Sequence, residues 1–275
     1  MPSVFSSLRY FLPPEDGTRP YLSTYKVDPA TGEAEKNFAE AWYKMEIEDI
    51  RGKEEEYTLD TNGFQLYKRP SKHTEFVDDA EIREEYYPEC IQFIKDLTGA
   101  SEVLIFDHTI RRRKPGQKDS AEARQPVPSV HVDQTAKASR NRVYRHLPAS
   151  EAEKRVQGRY QIINLWRPIG HPAFDYPLAF CDWTSTNKEE GADFAPTALK
   201  YPDYDGEIMN VKFNPEHKWK YWKGMTPEEF VLIKCADSKE GVAEFTPHTS
   251  FEDPSTPPSA PYRQSIEVRT LVFYD

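Results

Sequence analysis

The chain has 275 residues, a formal net charge of −10 and an aromatic content of 13%. An acidic surface repels phosphate backbones, so we expect no nucleic-acid partner. No segment approaches the roughly 20 consecutive apolar residues that a membrane-spanning helix needs, so we expect no membrane association.

Three cysteines, Cys90, Cys181 and Cys235, lie far apart in apolar surroundings. Their odd number and wide spacing predict buried free thiols in a reducing compartment. The amino terminus lacks the basic start and continuous apolar core of a secretory signal. We therefore predict a cytoplasmic location, and the residue pattern leaves the oligomeric state open.

The chain reads as a single domain over residues 1–275. Prolines outnumber glycines by 23 to 12, which predicts stiff, ordered loops between short elements. Residues 1–75 contain many turn signals and are predicted to form an irregular region that packs on the core. Residues 76–275 carry clearer periodic patterns and are predicted to form the core itself.

Two helical stretches stand out by their periodicity. The first covers residues 79–97, where apolar side chains recur at helical spacing, Asp78 or Asp79 caps the start and Gly99 suits the end. A buried strand at 103–106, a basic loop at 111–126 and a short extended piece at 127–133 follow. The second helical stretch covers residues 135–147 and continues through 150–156.

The remainder of the chain reads mostly as strands. The predicted strands are residues 160–166, 178–183, 207–213, 230–235, 242–245 and 265–274. Helices first and many strands afterwards favour an α+β, mainly β domain. We predict a double-stranded β-helix (jelly roll, cupin-like) supported by helices.

His131 and Asp133 are the starting point for a metal site. Residues two apart in a strand project to the same face, so one imidazole and one carboxylate are able to converge on one ion. His248, predicted to follow the strand 242–245, supplies a third ligand from a distant part of the chain. Two histidines and one carboxylate leave coordination positions open, which suits iron(II) and O2 chemistry. A structural zinc site would need four ligands, usually thiolates, and we expect no cysteine near these residues.

Arg263 and Ser265 predict a second part of the site. A guanidinium with a neighbouring hydroxyl matches the distal carboxylate of 2-oxoglutarate. In an extended strand both residues share one face with Glu267 and Arg269. On the strand 160–166, Asn164 is a further candidate for contact with this cosubstrate.

Several segments together resemble a known family. They are DIRGKE (49–54), NGF (62–64), IFDHTIRRR (105–113), VHVDQT (130–135), IINLWRP (162–168), PHTSF (247–251) and RQSIEVR (263–269). These segments, from about residue 45 to the end, resemble the fungal hydroxylase/desaturase proteins of secondary-metabolite clusters (the AsaB type). That family is related to bacterial cephem methoxylase-like proteins.

The resemblance implies an iron(II)- and 2-oxoglutarate-dependent oxygenase that hydroxylates, desaturates or oxidatively cyclises a small molecule. It also implies that His131, Asp133 and His248 are the iron ligands. The spacing from His248 to Arg263 is longer than in many such oxygenases, which leaves Arg167 or Arg269 as alternative clamps.

Other interpretations remain open beside this one. A cupin-like metal-binding module, or a metal-dependent hydrolase or isomerase without 2-oxoglutarate, would use the same three ligands. The basic run 111–114 is either a solvated loop or a cover over the active-site mouth that meets an anionic substrate. His108 is interpreted as structural or as a support for the metal ligands, and the aromatic segment 219–222 as a lid, a substrate wall or core.

Overall fold

The computed structural model describes residues 2–30, 33–120 and 122–275. These residues form a mainly β structure with few helices. The strands are β1 (Ser3–Leu12), β2 (Tyr21–Val27), β3 (Ala34–Lys36), β4 (Ala39–Asp49), β5 (Phe64–Lys68), β6 (Glu102–Arg112), β7 (His131–Val132), β8 (Tyr160–Pro168), β9 (Leu178–Cys181), β10 (Phe194–Lys200), β11 (Asp205–Val211), β12 (Trp219–Tyr221), β13 (Glu229–Asp237), β14 (His248–Ser250) and β15 (Gln264–Phe273).

The strands form two sheets. The larger sheet has ten strands in the order β1-β4-β12-β9-β14-β7-β11-β10-β2-β3. The smaller sheet has five strands in the order β5-β13-β8-β15-β6. Neighbours are mostly distant in sequence, so long-range pairing holds both sheets together.

The amino-terminal region is not irregular, and that prediction was wrong. Strand β1 pairs antiparallel with β4 along its whole length, from Ser3 opposite Glu48 to Leu12 opposite Ala39. Both strands belong to the larger sheet. Phe5 on β1 is 56% exposed, and an exposed apolar residue at this position obscures the alternating pattern. Positions 1, 31 and 32 of the region lie outside the described residues.

The first predicted helix is confirmed. It consists of α1 (Asp79–Glu81), a π-helical turn (Ile82–Tyr86) and α2 (Tyr87–Thr98). The Asp78 carboxylate accepts hydrogen bonds from the first free amides, and Gly99 ends the helix at φ 71°. Phe93 of α2 stacks on Phe230 of β13 at 5.6 Å, so the helix covers one face of the smaller sheet.

The second helical stretch is also confirmed, as α3 (Ala136–His146) and α4 (Ala149–Arg155). Residues 242–245 do not form a strand, whereas β10 and β12 were not predicted. Strand β6 runs on to Arg112, so the first part of the predicted basic loop is strand; position 121 of that loop lies outside the described residues.

An aromatic-rich core lies between the two sheets. Phe64 of the smaller sheet stacks on Phe180 of the larger one at a centroid distance of 5.0 Å. The neighbouring residue Cys181 packs in a different cluster, on the opposite face of the larger sheet. Trp219–Tyr221 is buried, so the core interpretation of that aromatic segment is the one that holds.

All three cysteines are free and buried, as predicted. Among the described residues, no helix is long and apolar enough to cross a bilayer.

Candidate metal centre and active site

His131 and His248 are brought together by strand pairing. Strand β7 lies beside β14 in the larger sheet, and His131 is the direct antiparallel partner of His248. Their ring centroids are 4.5 Å apart. His248 begins β14 rather than following a strand at 242–245, which corrects the predicted placement. Val132, the next residue on β7, packs in the cluster on the outer face of the larger sheet. Because successive side chains of a strand point to opposite faces, His131 points inward.

Asp133 completes a three-ligand cluster immediately after β7. One ligand atom from each of His131, Asp133 and His248 lies within 4.8 Å of the others. The His131 Nε2 atom is 3.5 Å from an Asp133 carboxylate oxygen.

The orientation of both imidazoles is fixed from behind. The Nδ1–H of His131 donates to the Ser129 carbonyl at 2.8 Å, and that of His248 donates to the Thr246 carbonyl at 3.0 Å. Because a carbonyl only accepts, the Nε2 atoms keep their lone pairs for a metal. Two imidazoles and one carboxylate with open positions fit iron(II).

The charges of the cluster suit metal binding. Burial and the neighbouring His131 lower the pKa of His248, which keeps it neutral. Burial alone would raise the pKa of Asp133, but the contact with His131 and the charge of Arg269 outweigh it and hold that pKa well below its usual range. Burial would lower the pKa of His131, yet the contact with Asp133 raises it. The cluster therefore offers an ionised carboxylate to a cation.

Asn164 holds the carboxylate ligand in place. Its side-chain amide nitrogen, on β8, donates to Asp133 Oδ2 and to Glu267 Oε1, both at 2.6 Å. Arg269 in turn donates to Glu267 at 3.3 Å and lies 3.9 Å from Asp133. Asn164, which the sequence offers as a candidate for cosubstrate contact, thus contacts the candidate metal ligand Asp133.

Cys235 also contacts the candidate ligand Asp133, although no cysteine was expected near the site. Its Sγ lies 3.7 Å from Asp133 Oδ2. Burial and the charge of Asp133 raise the pKa of this thiol well above its usual value. It therefore stays protonated and acts as a weak hydrogen-bond donor rather than as a thiolate ligand.

Arg263 lies in the same small pocket as the three ligands. Its side chain is 1% exposed, and its Nη1 donates to the Tyr176 carbonyl at 2.5 Å. Its Nε is buried without any hydrogen-bond acceptor. Burial and the charge of Arg111 lower the pKa of Arg263 to about 9. A buried cation with an unused donor is the arrangement that an anionic ligand satisfies.

Ser265 follows on the same strand face. It is 1% exposed, it is not among the residues that line the pocket, and its hydroxyl has no hydrogen bond to another described residue. Trp166 and Glu267 line the pocket too. The sequence placed Glu267 on the same strand face as Arg263 but indicated no function for it. This shared face is the sequence signal that predicts its position in the pocket.

Of the two alternative clamps, Arg167 lies away from the metal pocket, whereas Arg269 lies beside Asp133 with its donors engaged by other residues. Arg167 points to the helix-covered side of the smaller sheet, where its guanidinium donates to the Tyr86 hydroxyl and to the carbonyls of Pro227 and Arg69. Opposite parity on β8 separates it from Asn164, so the assignment of Arg167 to the cosubstrate is corrected. Arg269 is engaged by Asp107 and Thr109 at 3.0 and 2.9 Å.

A second, larger cavity of about 800 Å³ opens from Asp133 and Arg269 towards the outside. Arg111 lines both this cavity and the metal pocket. Of residues 111–114 it alone lines the cavity; Arg113 pairs with Asp175 at 3.0 Å instead. His108 contacts Tyr87 of α2 at 2.8 Å, which agrees with a structural role.

Comparisons with known proteins agree with this site. The family described as "Oxidoreductase/YMDC permease-like domain" matches residues 8–273. The hydroxylase/desaturase efuI of Hormonema carpetanum is 36% identical over 252 residues, which cover 83% of each chain. The hydroxylase/desaturase CTB9 of Cercospora beticola is 32% identical and covers 96% of this chain and 92% of its own.

A solved structure shows the same fold. The iron and alpha-ketoglutarate-dependent endoperoxidase NvfI superposes with a TM-score of 0.85 and 24% identity, over 99% of this chain and 98% of that one. The extent of both kinds of match confirms the resemblance carried by the sequence segments. The chain belongs to the fungal hydroxylase/desaturase family of oxidoreductases.

Proposed function

We propose that the chain is an Fe(II)/2-oxoglutarate-dependent dioxygenase in which His131, Asp133 and His248 hold the iron and Arg263 binds the cosubstrate. The observation that supports this proposal most strongly is a single pocket that contains three convergent candidate ligands and the buried guanidinium of Arg263, whose Nε has no hydrogen-bond partner. The family membership agrees, since a relative from Aspergillus novofumigatus bears the name Fe(II)/2-oxoglutarate-dependent dioxygenase. Bound iron(II), with 2-oxoglutarate and O2, supplies oxidation of a substrate C–H bond coupled to decarboxylation of the cosubstrate.

The chain's own residues have separate tasks in this proposal. The Ser129 and Thr246 carbonyls fix the two imidazoles, and Asn164 fixes the carboxylate. Arg263 and the unpaired hydroxyl of Ser265 receive the distal carboxylate of 2-oxoglutarate. Trp166, whose ring lies 5.6 Å from the Arg263 guanidinium, forms the apolar wall that keeps water from this contact.

We further propose that the two sheets form a double-stranded β-helix, or jelly roll, and that residues 1–275 make one domain. In support, β1 and β4 extend the same sheet that carries both histidines. The substrate is proposed to be a small molecule, because the cavity beside Asp133 has a volume typical of ligand sites. The cytoplasmic location stays a prediction that rests on the three free thiols.

The alternatives without 2-oxoglutarate are disfavoured by Arg263. A metal-binding module, hydrolase or isomerase has no use for a buried guanidinium with a free donor beside the metal ligands. Family membership with hydroxylase/desaturases also argues for oxidative chemistry.

Anaerobic titration tests the proposal. We expect the protein, supplied with iron(II) and then with 2-oxoglutarate, to develop the visible charge-transfer absorption of an iron-bound keto acid. Folded protein that binds iron(II) but never develops this absorption would contradict the use of 2-oxoglutarate.

A further inference from the structure

The larger cavity is lined by more positive than negative side chains, although the chain as a whole is acidic. The chain has a formal net charge of −10, whereas seven lysine or arginine residues and four carboxylates line this cavity. Helix α3 contributes Lys137, Arg142 and Arg145. All three cations line the cavity, and Arg142 and Arg145 are three residues apart, so these two are neighbours on the helix surface.

The cavity's own acids do not neutralise these cations. Asp107 pairs with Arg269 at 3.0 Å, and Glu207 is engaged by Arg19 and Thr135. Asp133 is a metal ligand. No described carboxylate lies within ion-pair distance of Lys137, Arg142 or Arg145, and the fourth acid, Asp205, is exposed.

Aromatic rings hold two of the cations in place and leave most of their donors free. The Arg142 guanidinium lies 5.0 Å from the ring of Phe106, which stacks on His146 at 5.1 Å. The Arg145 guanidinium lies 4.8 Å from the ring of Tyr204 and donates one hydrogen bond to its hydroxyl. Stacking on a ring face leaves the edge of a guanidinium free to bind an anion. Arg142 makes no hydrogen bond to another described residue.

Arg142 is held in an unfavourable electrostatic environment. Burial, together with the neighbouring charge of Arg145, lowers the pKa of the Arg142 guanidinium. A bound anion would relieve both effects. The planar fork of an arginine matches a carboxylate in two-point contact.

We propose that the substrate carries a carboxylate on a skeleton with apolar or aromatic parts, and that Arg142, with Arg145 and Lys137, binds that carboxylate. The skeleton then lies along Phe106, Leu199 and Ile208, which line the cavity between α3 and Asp133. This assignment rests on the proposed function, because it takes the cavity beside the metal ligands as the substrate site.

Binding of matched acid and ester probes tests the assignment. Naphthalene-2-carboxylate, anthracene-2-carboxylate and a steroid carboxylic acid, each with its methyl ester, are titrated calorimetrically into protein with iron(II) and saturating 2-oxoglutarate without O2. The cosubstrate fills the pocket of Arg263, so the probes report on the larger cavity. We expect at least one acid to bind about tenfold more tightly than its ester, the effect of a charged hydrogen bond.

Variants of α3 distinguish the effect of cations that line the cavity from that of a cation on the protein surface. Arg142→Gln should remove the preference for the acid, Arg142→Lys should keep part of it, and Lys137→Gln should reduce it less. Arg140→Gln is the matched control, because Arg140 is an exposed cation of the same helix, bonds to Tyr144 and does not line the cavity. This control should keep the full preference.

Any of three results would overturn the assignment. The first is wild-type protein that binds none of the acids more tightly than its ester. The second is folded Arg142→Gln protein that keeps the preference, and the third is an Arg140→Gln variant that loses as much. The charge-transfer absorption of the same samples reports separately on the proposed function, so failure of the iron and 2-oxoglutarate assignment is distinguished from failure of the carboxylate assignment.

Discussion

His131 faces His248 across a single antiparallel bridge between β7 and β14, and this pairing sets their ring centroids 4.5 Å apart. Neither strand is long: β7 has two residues and β14 has three. The geometry of the candidate metal site therefore depends on backbone register, not on a local motif.

Loss of either imidazole should abolish stoichiometric iron binding. His131→Ala or His248→Ala leaves two ligands, which are too few to hold iron(II) against water. Iron content after anaerobic loading and gel filtration measures the effect. His171→Ala is the control, since its ring contacts the Pro172 carbonyl and lines neither cavity. Wild-type iron content in folded His248→Ala protein would rule out the assigned ligand set.

Removing the Asn164 amide should weaken iron binding while leaving the ligands in place. Asn164→Leu takes away the donor that fixes Asp133, and loss of such a supporting contact costs about 10- to 100-fold in metal affinity. Competition with a metal-binding dye measures this affinity. Asn214→Leu removes a comparable contact to Asp193, away from the site, and should not change it. Equal iron affinities of the Asn164 variant and wild-type protein would contradict a positioning role.

Arg263→Leu should raise the 2-oxoglutarate concentration needed for half-maximal charge-transfer absorption by about 100-fold, because a charged contact to the carboxylate is lost. Iron binding should persist. Arg112→Leu is the control: Arg112 lies on β6 with its donors engaged by Gln264 and the Phe76 carbonyl. If Arg263→Leu needs the same 2-oxoglutarate concentration as wild-type protein, Arg263 does not bind the distal carboxylate. Arg269 and Arg111 are the remaining cations of the site that could do so.

Acidic pH should remove the contribution of Asp237 to the stability of the fold. Burial alone would raise its pKa, but Arg159 and the fully buried Lys234 outweigh burial and lower it. Such a carboxylate stabilises the fold above its unfolded pKa of about 3.9, and the stabilisation is lost as pH falls through the lower folded pKa.

Thermal unfolding across a pH series checks this prediction. Asp237→Asn should lower the unfolding midpoint at neutral pH, and its difference from wild-type protein should narrow in acid. The exposed Asp203→Asn should match wild-type protein throughout. A difference between Asp237→Asn and wild-type protein that widens in acid would be inconsistent with an ionised, paired Asp237.

Local signals predicted part of this structure. The cap at Asp78, the helical spacing that follows and the stop at Gly99 are contained in one short segment, and the helix is found there. Asn164 and Arg167 lie on opposite faces of β8, as the alternation of side chains along a strand requires.

The same reasoning did not predict pairing between segments that are far apart in the sequence. Residues 242–245 look like a strand by composition but find no strand partner, whereas His248 acquires its strand only by lying between β7 and β9. Strand β1 shows the same limit, because Phe5 breaks its apolar pattern and β4 supplies the pairing. Cys235 reaches Asp133 across the sandwich, a contact that spacing along the chain does not encode.

Crystallography of anaerobically loaded protein tests the central claim most directly. Anomalous scattering at the iron edge, from crystals grown with iron(II) and 2-oxoglutarate, locates the ion independently of any assumed ligand. We predict one peak at about 2.0–2.2 Å from His131 Nε2, His248 Nε2 and an Asp133 oxygen, as for imidazole and carboxylate ligands of similar ions. The distal carboxylate of 2-oxoglutarate should contact Arg263. An iron peak away from these three residues, or a cosubstrate whose distal carboxylate lies away from Arg263, would contradict the account.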